Sequence, residues 1–206
     1  MTDPIVDIAS LFCSRLCHDL LSPVGAIGNG LELMADEDDP AMRARCLELI
    51  AESTRAATDK LKFYRLAFGA AGSFGDQMDC PELLRAIEGI SGGKVEIAWA
   101  VEQRTLARRT AKVLLNLAIL GVDALPRGGT LTIAAEEAGG VGEVVVRAEG
   151  PRLAADQQVL SALAGTDPQP TSRNAAAWLA ARLAGPPGAV QVAEQDGVLM
   201  LGARLA

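Results

Sequence analysis

A chain of 206 residues, half of them apolar, can bury a core without staples, which excludes a disordered segment. Its net charge of −7 is spread along the whole length, with no basic stripe of the kind that grips nucleic acid. No apolar run approaches the roughly 20 residues that span a bilayer, and no positive start leads into an apolar run of signal length, so a soluble, cytoplasmic protein is expected.

From Ile5 to about Met34, the residues Ile5, Ile8, Phe12, Leu16, Leu20, Val24, Ile27, Leu31 and Met34 recur at steps of three and four. That spacing predicts a long amphipathic helix. The run Asp36-Glu37-Asp38-Asp39-Pro40 breaks it, and Asp39 before Pro40 reads as an N-cap followed by proline at the first helical position. A second helix follows, with the stripe Cys46, Ile50, Ser53, Ala57, Leu61, Tyr64 and Phe68 flanked by Met42 and Leu49, and it ends where glycines gather between Gly69 and Gly75. Each helix carries an apolar stripe wider than one partner can cover. Two such hairpins packed as a four-helix bundle would cover both, which predicts a homodimer; packing of the hairpin on the rest of its own chain would serve the same need.

After Cys80-Pro81 the pattern turns mixed. Pro81 to Ile90 reads as a short helix, Lys94 to Val101 as a strand, and Thr105 to Leu125 as one long apolar helix. Thr130 to Ala135 and Glu143 to Ala148 read as strands paired around Gly139-Gly140, and Asn174 to Leu183 as a helix ended by Gly185-Pro186-Pro187-Gly188. Val190 to Ala193 and Val198 to Leu205 form a last hairpin turned at Gln195-Asp196-Gly197. The expected class is α+β: residues 1–75 a helical hairpin forming a dimeric four-helix bundle, residues 76–206 an α/β sandwich with helices over one sheet.

His18 is the only histidine. It lies two residues from both Leu16 and Leu20, about 200° around the helix from each, and so faces away from the stripe. Ser14, Ser22, Gly25 and Asn29 share its face and leave room for another protein to approach. A neutral imidazole has one unprotonated ring nitrogen that can attack phosphorus. Asp19 could bond the other ring N–H and fix the tautomer, or could be an ordinary solvated carboxylate; Ser22 could bond a phosphoryl oxygen or simply fill a helical position. Pro23 removes a backbone donor just beyond, and there the helix kinks or ends and restarts. Cys13, Cys17, Cys46 and Cys80 fit a reducing compartment. They read as small core residues rather than metal ligands, since Cys17 and His18 point about 100° apart and no C-x2-C pair occurs.

His18-Asp19-Leu20-Leu21-Ser22-Pro23 resembles the H-box of sensor histidine kinases, which lies on the first helix of a dimeric bundle. The later region is similar to the ATP-binding domain of such kinases, with its nucleotide motifs eroded. Leu114-Leu115-Asn116-Leu117 resembles the start of the N-box, but Leu120 stands where a Mg²⁺-facing asparagine is expected. Ala148 replaces the adenine-binding aspartate, Arg152 replaces a glycine of the same box, and Asn174-Ala175-Ala176-Ala177-Trp178-Leu179 has none of the lid glycines.

An intact H-box beside an eroded ATP domain resembles the ChpT-type histidine phosphotransferases of bacterial cell-cycle phosphorelays. The resemblance implies that His18 is phosphorylated by the receiver domain of a hybrid histidine kinase and passes the group to aspartates of response regulators resembling CtrA and CpdR. Asp19 and Ser22 would assist, ATP would not bind, and Mg²⁺ would come with the receiver. Receiver contacts are expected at Arg15, Leu21, Gly25 and Asn29, and, with a hairpin turn near Asp38 bringing Thr58 level with His18, at Arg55, Thr58 and Lys62. Arg147, Arg152 and Arg173 near the eroded pocket are further candidates for an acidic partner. The same residues also fit an ATP-dependent sensor-type kinase with an unusual site, or a non-catalytic dimeric adaptor that only binds receivers.

Overall fold

The computed structural model describes residues 4–69, 75–166 and 170–206. Two long helices, α1 (Pro4–Ala35) and α2 (Pro40–Phe68), form an antiparallel hairpin. Its turn is built as the sequence dictates: the Asp39 side chain accepts from the Ala41 amide at 3.1 Å, Pro40 opens α2, and Arg43 donates to the carbonyls of Met34 and Glu37 at 2.9 Å each. Gly30 sets how closely the helices approach, because a Cβ there would lie 2.7 Å from Ile50 Cγ1. Pro23 is buried inside an unbroken α1, so the helix does not end and restart.

Only part of the expected α2 stripe is buried. Cys46, Ser53, Ala57 and Tyr64 are covered, whereas Leu61, Met42 and Leu49 are exposed. The missing burial reappears at the end of the helix on another face: Phe63, Leu66 and Ala67 join Tyr64 in the main core beside Leu83, Ile87 and Leu114. The hairpin thus leans on the rest of its own chain through the last turns of α2, while much of its length stays uncovered. The boundary expected at residues 75/76 adjoins residues 70–74, outside the described residues.

A five-stranded sheet follows in the order β2-β4-β5-β7-β6, from β2 (Val95–Trp99), β4 (Gly129–Ala138), β5 (Val141–Glu149), β6 (Val190–Gln195) and β7 (Val198–Leu205). Only β2 and β4 run parallel. Alternation selects the faces: Leu131 and Ile133, Val144 and Val146, and Leu199 and Leu201 point to the helices, while Val145 and Met200 face outward. Both hairpin turns use left-handed backbone, at Gly139-Gly140 (φ 60° and 82°) and Asp196-Gly197 (φ 52° and 76°), which matches the strand twist.

Helices α3 (Cys80–Ser91), α4 (Arg108–Asp123), α5 (Gln157–Leu163) and α6 (Ala175–Ala184) complete the fold. Residues 113–121 of α4 are all buried, and Gly121 sits so close to the sheet that a Cβ would meet Leu131 Cδ1 at 2.4 Å. The expected helix from Thr105 is corrected at its start. Thr105–Ala107 is instead a short strand, β3, paired antiparallel with β1 (Gln77–Asp79). The Ala107 amide donates to the Glu137 carboxylate at 3.0–3.1 Å and that of Arg108 to the Asp76 carbonyl at 2.9 Å, so neither is free for a helical turn.

Candidate phosphotransfer site

His18 stands on α1 with its side chain 84% exposed, beside the half-buried Leu16 and Leu20 that anchor the helix. Nδ1 lies 3.0 Å from Asp19 Oδ1. With the ring proton on Nδ1, that nitrogen donates to the carboxylate and Nε2 presents its lone pair to solvent.

Asp19 is not a solvated carboxylate, since its side chain is only 14% exposed. Its two oxygens are divided: Oδ1 faces His18, whereas Oδ2 accepts from Arg15 Nε at 2.6 Å and from the Tyr64 hydroxyl. Burial works to raise the Asp19 pKa, but hydrogen bonds from Tyr64 and His18 and the charge of Arg15 hold it below the ordinary carboxylate value. Tyr64 is pushed the other way, first by burial and then by the adjacent carboxylate, so it keeps its proton. Burial alone would lower the pKa of Arg15, but Asp123 and Asp19 overcome it and keep the guanidinium charged.

Pro23 has a visible consequence here. It lacks the N–H that would bond the carbonyl four residues earlier, which belongs to Asp19. Lys60 fills the gap, donating from Nζ to the Asp19 carbonyl at 2.9 Å. Lys60 and Tyr64, one turn apart on α2, therefore hold Asp19 by its backbone and by its side chain.

The open face of α1 is as expected in its exposure: Ser14, Ser22, Gly25 and Asn29 are exposed, Leu21 is 71% exposed, and a Cβ on Gly25 would meet nothing within 4 Å. On α2, Arg55, Thr58 and Lys62 are exposed, with Lys62 paired to Asp59 at 3.3 Å. Two expectations need correction. On α2 the residues that reach Asp19, next to His18, are Lys60 and Tyr64, beyond the expected Thr58. Arg15, expected as a receiver contact, is only 15% exposed and turned inward: it also donates to Asp123 Oδ2 on α4 at 3.1 Å and to the Arg173 carbonyl at 3.3 Å. Its donors are spent joining the hairpin to the C-terminal region.

That junction opens on a cleft of about 290 Å³ lined by Leu120, Asp123, Asp156, Leu160 and Arg173. Arg173 and Asp156 pair across it at 3.2 Å. Arg147 lies on β5 paired to Glu149, away from the cleft, and Arg152 is exposed. Leu120 and Ala148 are both buried apolar side chains. Asn174 is buried at the start of α6, where its Oδ1 accepts from the Thr171 amide at 2.7 Å. All four cysteines are free: Cys46 and Cys80 are buried, whereas Cys13 and Cys17 are exposed rather than core. Among the described residues no cluster of three or more His, Cys, Asp and Glu side chains could hold a metal, and no helix is long and apolar enough to cross a membrane.

Tyr64, Lys60 and Asp123 were not among the expected site residues. Pro23 announced an orphan carbonyl, but nothing local announced which residue would take it.

Residues 80–197 match the family model of the histidine phosphotransferase C-terminal domain. The protein phosphotransferase ChpT of Brucella abortus (strain 2308) is 38% identical over 169 residues, which is 80% of this chain and 78% of that one. A bacterial phosphotransferase solved at 1.7 Å superposes with a TM-score of 0.84 at 30% identity, over 98% of each chain. The histidine kinase ThkA, solved in complex with the response regulator TrrA, shares the fold at 16% identity and a TM-score of 0.50, over 97% of this chain and 62% of that one. With an H-box on an open helix face and this kinship over most of its length, the chain belongs to the ChpT-type histidine phosphotransferases.

Proposed function

We propose that this phosphotransferase acts in a cytoplasmic phosphorelay, with His18 accepting a phosphoryl group from the receiver domain of a hybrid histidine kinase and passing it to aspartates of response regulators of the CtrA and CpdR kind. The observation that carries the proposal is the combination at His18: a ring 84% exposed, yet tied through Nδ1 to a largely covered, ionised carboxylate.

The chemistry balances without a proton leaving. The Nε2 lone pair forms the P–N bond as the P–O bond of the donor's aspartyl phosphate breaks, and the aspartate departs with the electron pair. The positive charge that develops on the ring is offset by Asp19 through the Nδ1 hydrogen bond. Return transfer to an acceptor aspartate runs the same path backwards. The receiver's acidic pocket supplies Mg²⁺, and Ser22, one turn from His18, is close enough along the helix to address a phosphoryl oxygen. Leu21, Gly25, Asn29, Arg55, Thr58 and Lys62 form the surface on which the receiver docks.

ATP has no part in this cycle. Leu120 and Ala148 offer neither a metal ligand nor an adenine acceptor, and the start of α6 has no glycine loop to wrap phosphates. A second copy of the chain covers the open seam of the hairpin, where Val24 and Leu31 on α1 and Met42 and Leu49 on α2 are exposed at heptad spacing.

The test is transfer from a phosphorylated receiver with Mg²⁺ and no ATP. The wild type should be labelled and His18→Ala should not; labelling of the variant would remove His18 from the reaction.

A further inference from the structure

We propose that Tyr64 is a positioning residue for phosphotransfer: its hydroxyl, with Arg15, occupies Asp19 Oδ2 and so holds Oδ1 on His18 Nδ1, keeping Nε2 as the free nucleophile. The proposal rests on His18 being the phosphoryl acceptor.

Only one tautomer of the imidazole can react at the exposed nitrogen. If Nε2 carries the proton, it has no lone pair to offer phosphorus, and which nitrogen is protonated is set by the hydrogen bond the other one makes. Asp19 is the acceptor that decides it. An adjacent helical residue, however, points about 100° away from its neighbour. A carboxylate at that position reaches back over the ring only if something fixes its rotamer. Arg15 is one such donor, but it is shared among Asp19, Asp123 and the Arg173 carbonyl, so its geometry answers to three partners. The Tyr64 hydroxyl donates to Asp19 Oδ2, and its ring is held by packing rather than by the salt bridges of the junction.

Tyr64 is itself well fixed. It is 5% exposed, stacked on Phe68 with ring centroids 5.2 Å apart and an interplanar angle of 18°, and met edge-on by Phe63 at 5.8 Å. Phe12 of α1 closes on Phe68 at 4.9 Å. These rings continue into the main core through Phe63, Leu66 and Ala67. The hydroxyl is therefore aimed by an aromatic cluster of the hairpin that adjoins the main core. As a neutral donor Tyr64 also directs the carboxylate without cancelling the charge that must offset the phosphorylated ring.

Because His18 is the only histidine, its two ring nitrogens are the only imidazole signals in a ¹⁵N NMR spectrum of the intact protein. Wild type should show the proton mainly on Nδ1. Tyr64→Phe, which keeps the ring and its stacking, should move the population toward Nε2–H and slow transfer from a phosphorylated receiver roughly tenfold, the factor of one charge-assisted hydrogen bond. Asp19→Asn should move the tautomer at least as far. If Tyr64→Phe leaves the tautomer as in wild type while Asp19→Asn shifts it, Arg15 alone holds the carboxylate and the proposal is wrong, even if transfer slows. Labelling of His18→Ala would instead defeat the assignment of the acceptor and would leave the tautomer result standing as a separate fact.

Discussion

In the hairpin, nine large apolar side chains stand exposed, among them Val24, Leu31, Leu33 and Leu47, whereas in the C-terminal region only Val145 and Met200 do, among the described residues. The chemistry is divided the other way. The exposed histidine and its carboxylate lie on α1, while Leu120 and Ala148 of the C-terminal region are buried apolar side chains. One region is well packed among the described residues; the other holds the proposed phosphoacceptor and leaves much of its apolar surface uncovered. The difference gives the C-terminal region a structural part. It contributes the core on which the short functional hairpin rests.

The largest effect that could break this contrast is in the core. Leu114→Ala on α4, fully buried, should lower stability by about 2–5 kcal/mol in chemical denaturation and leave the oligomeric state unchanged. With the dimer proposed for the hairpin, Leu31→Asp on α1 should do the opposite, leaving the far-UV circular dichroism of the fold intact while shifting sedimentation toward monomer. If Leu31→Asp lowered stability as Leu114→Ala should and left the sedimentation unchanged, the proposed covering of the hairpin by a second copy would be wrong.

A smaller effect sharpens the junction. Asp123 is half-exposed and paired to Arg15 at 3.1 Å, so Asp123→Asn should cost less than about 1 kcal/mol in a thermal melt. The same substitution frees one of the three partners of Arg15, and transfer by His18 should change little while Tyr64 keeps its grip on Asp19.

The smallest effects lie at the extremes of pH. Asp19 has a folded pKa below its ordinary 3.8, so its contribution to stability is present above that value and lost as pH falls through the lower folded one. Tyr64 has a folded pKa above its ordinary 10.0, so its contribution is complete below pH 10 and lost as pH rises further. Denaturation midpoints for Asp19→Asn should lose the acid limb, and those for Tyr64→Phe the alkaline one, with little change between.

Where the sequence carried a long period or a turn signal, it could be read. The two helices, the glycine turn between β4 and β5 and the Asp196-Gly197 hairpin all follow from spacing and left-handed backbone. Strands β1 and β3 could not be read, because three residues give no period, and Thr105–Ala107 runs into a helical pattern without a break. Helix α5, seven residues long, gives no more. The exposure of His18 was legible from the helix, since it depends on neighbours within a turn. The roles of Tyr64 and Arg15 were not: the carboxylate that Tyr64 holds is 45 residues away and the Asp123 that Arg15 holds is 108. Tyr64 was legible as a stripe residue, and only the fold shows that its hydroxyl has a partner.

Pro23 has a mechanical consequence. By withholding one N–H it leaves the carbonyl of Asp19 outside the internal bonding of α1, and Lys60 ties that carbonyl to α2. The two helices are thus pinned at the level of His18. A slide of one residue, about 1.5 Å along the axis, would pull the ammonium away from its oxygen and the phenol away from its carboxylate together. A displacement along the hairpin axis therefore registers at the residue beside His18, which makes the proline a strain gauge set into the helix.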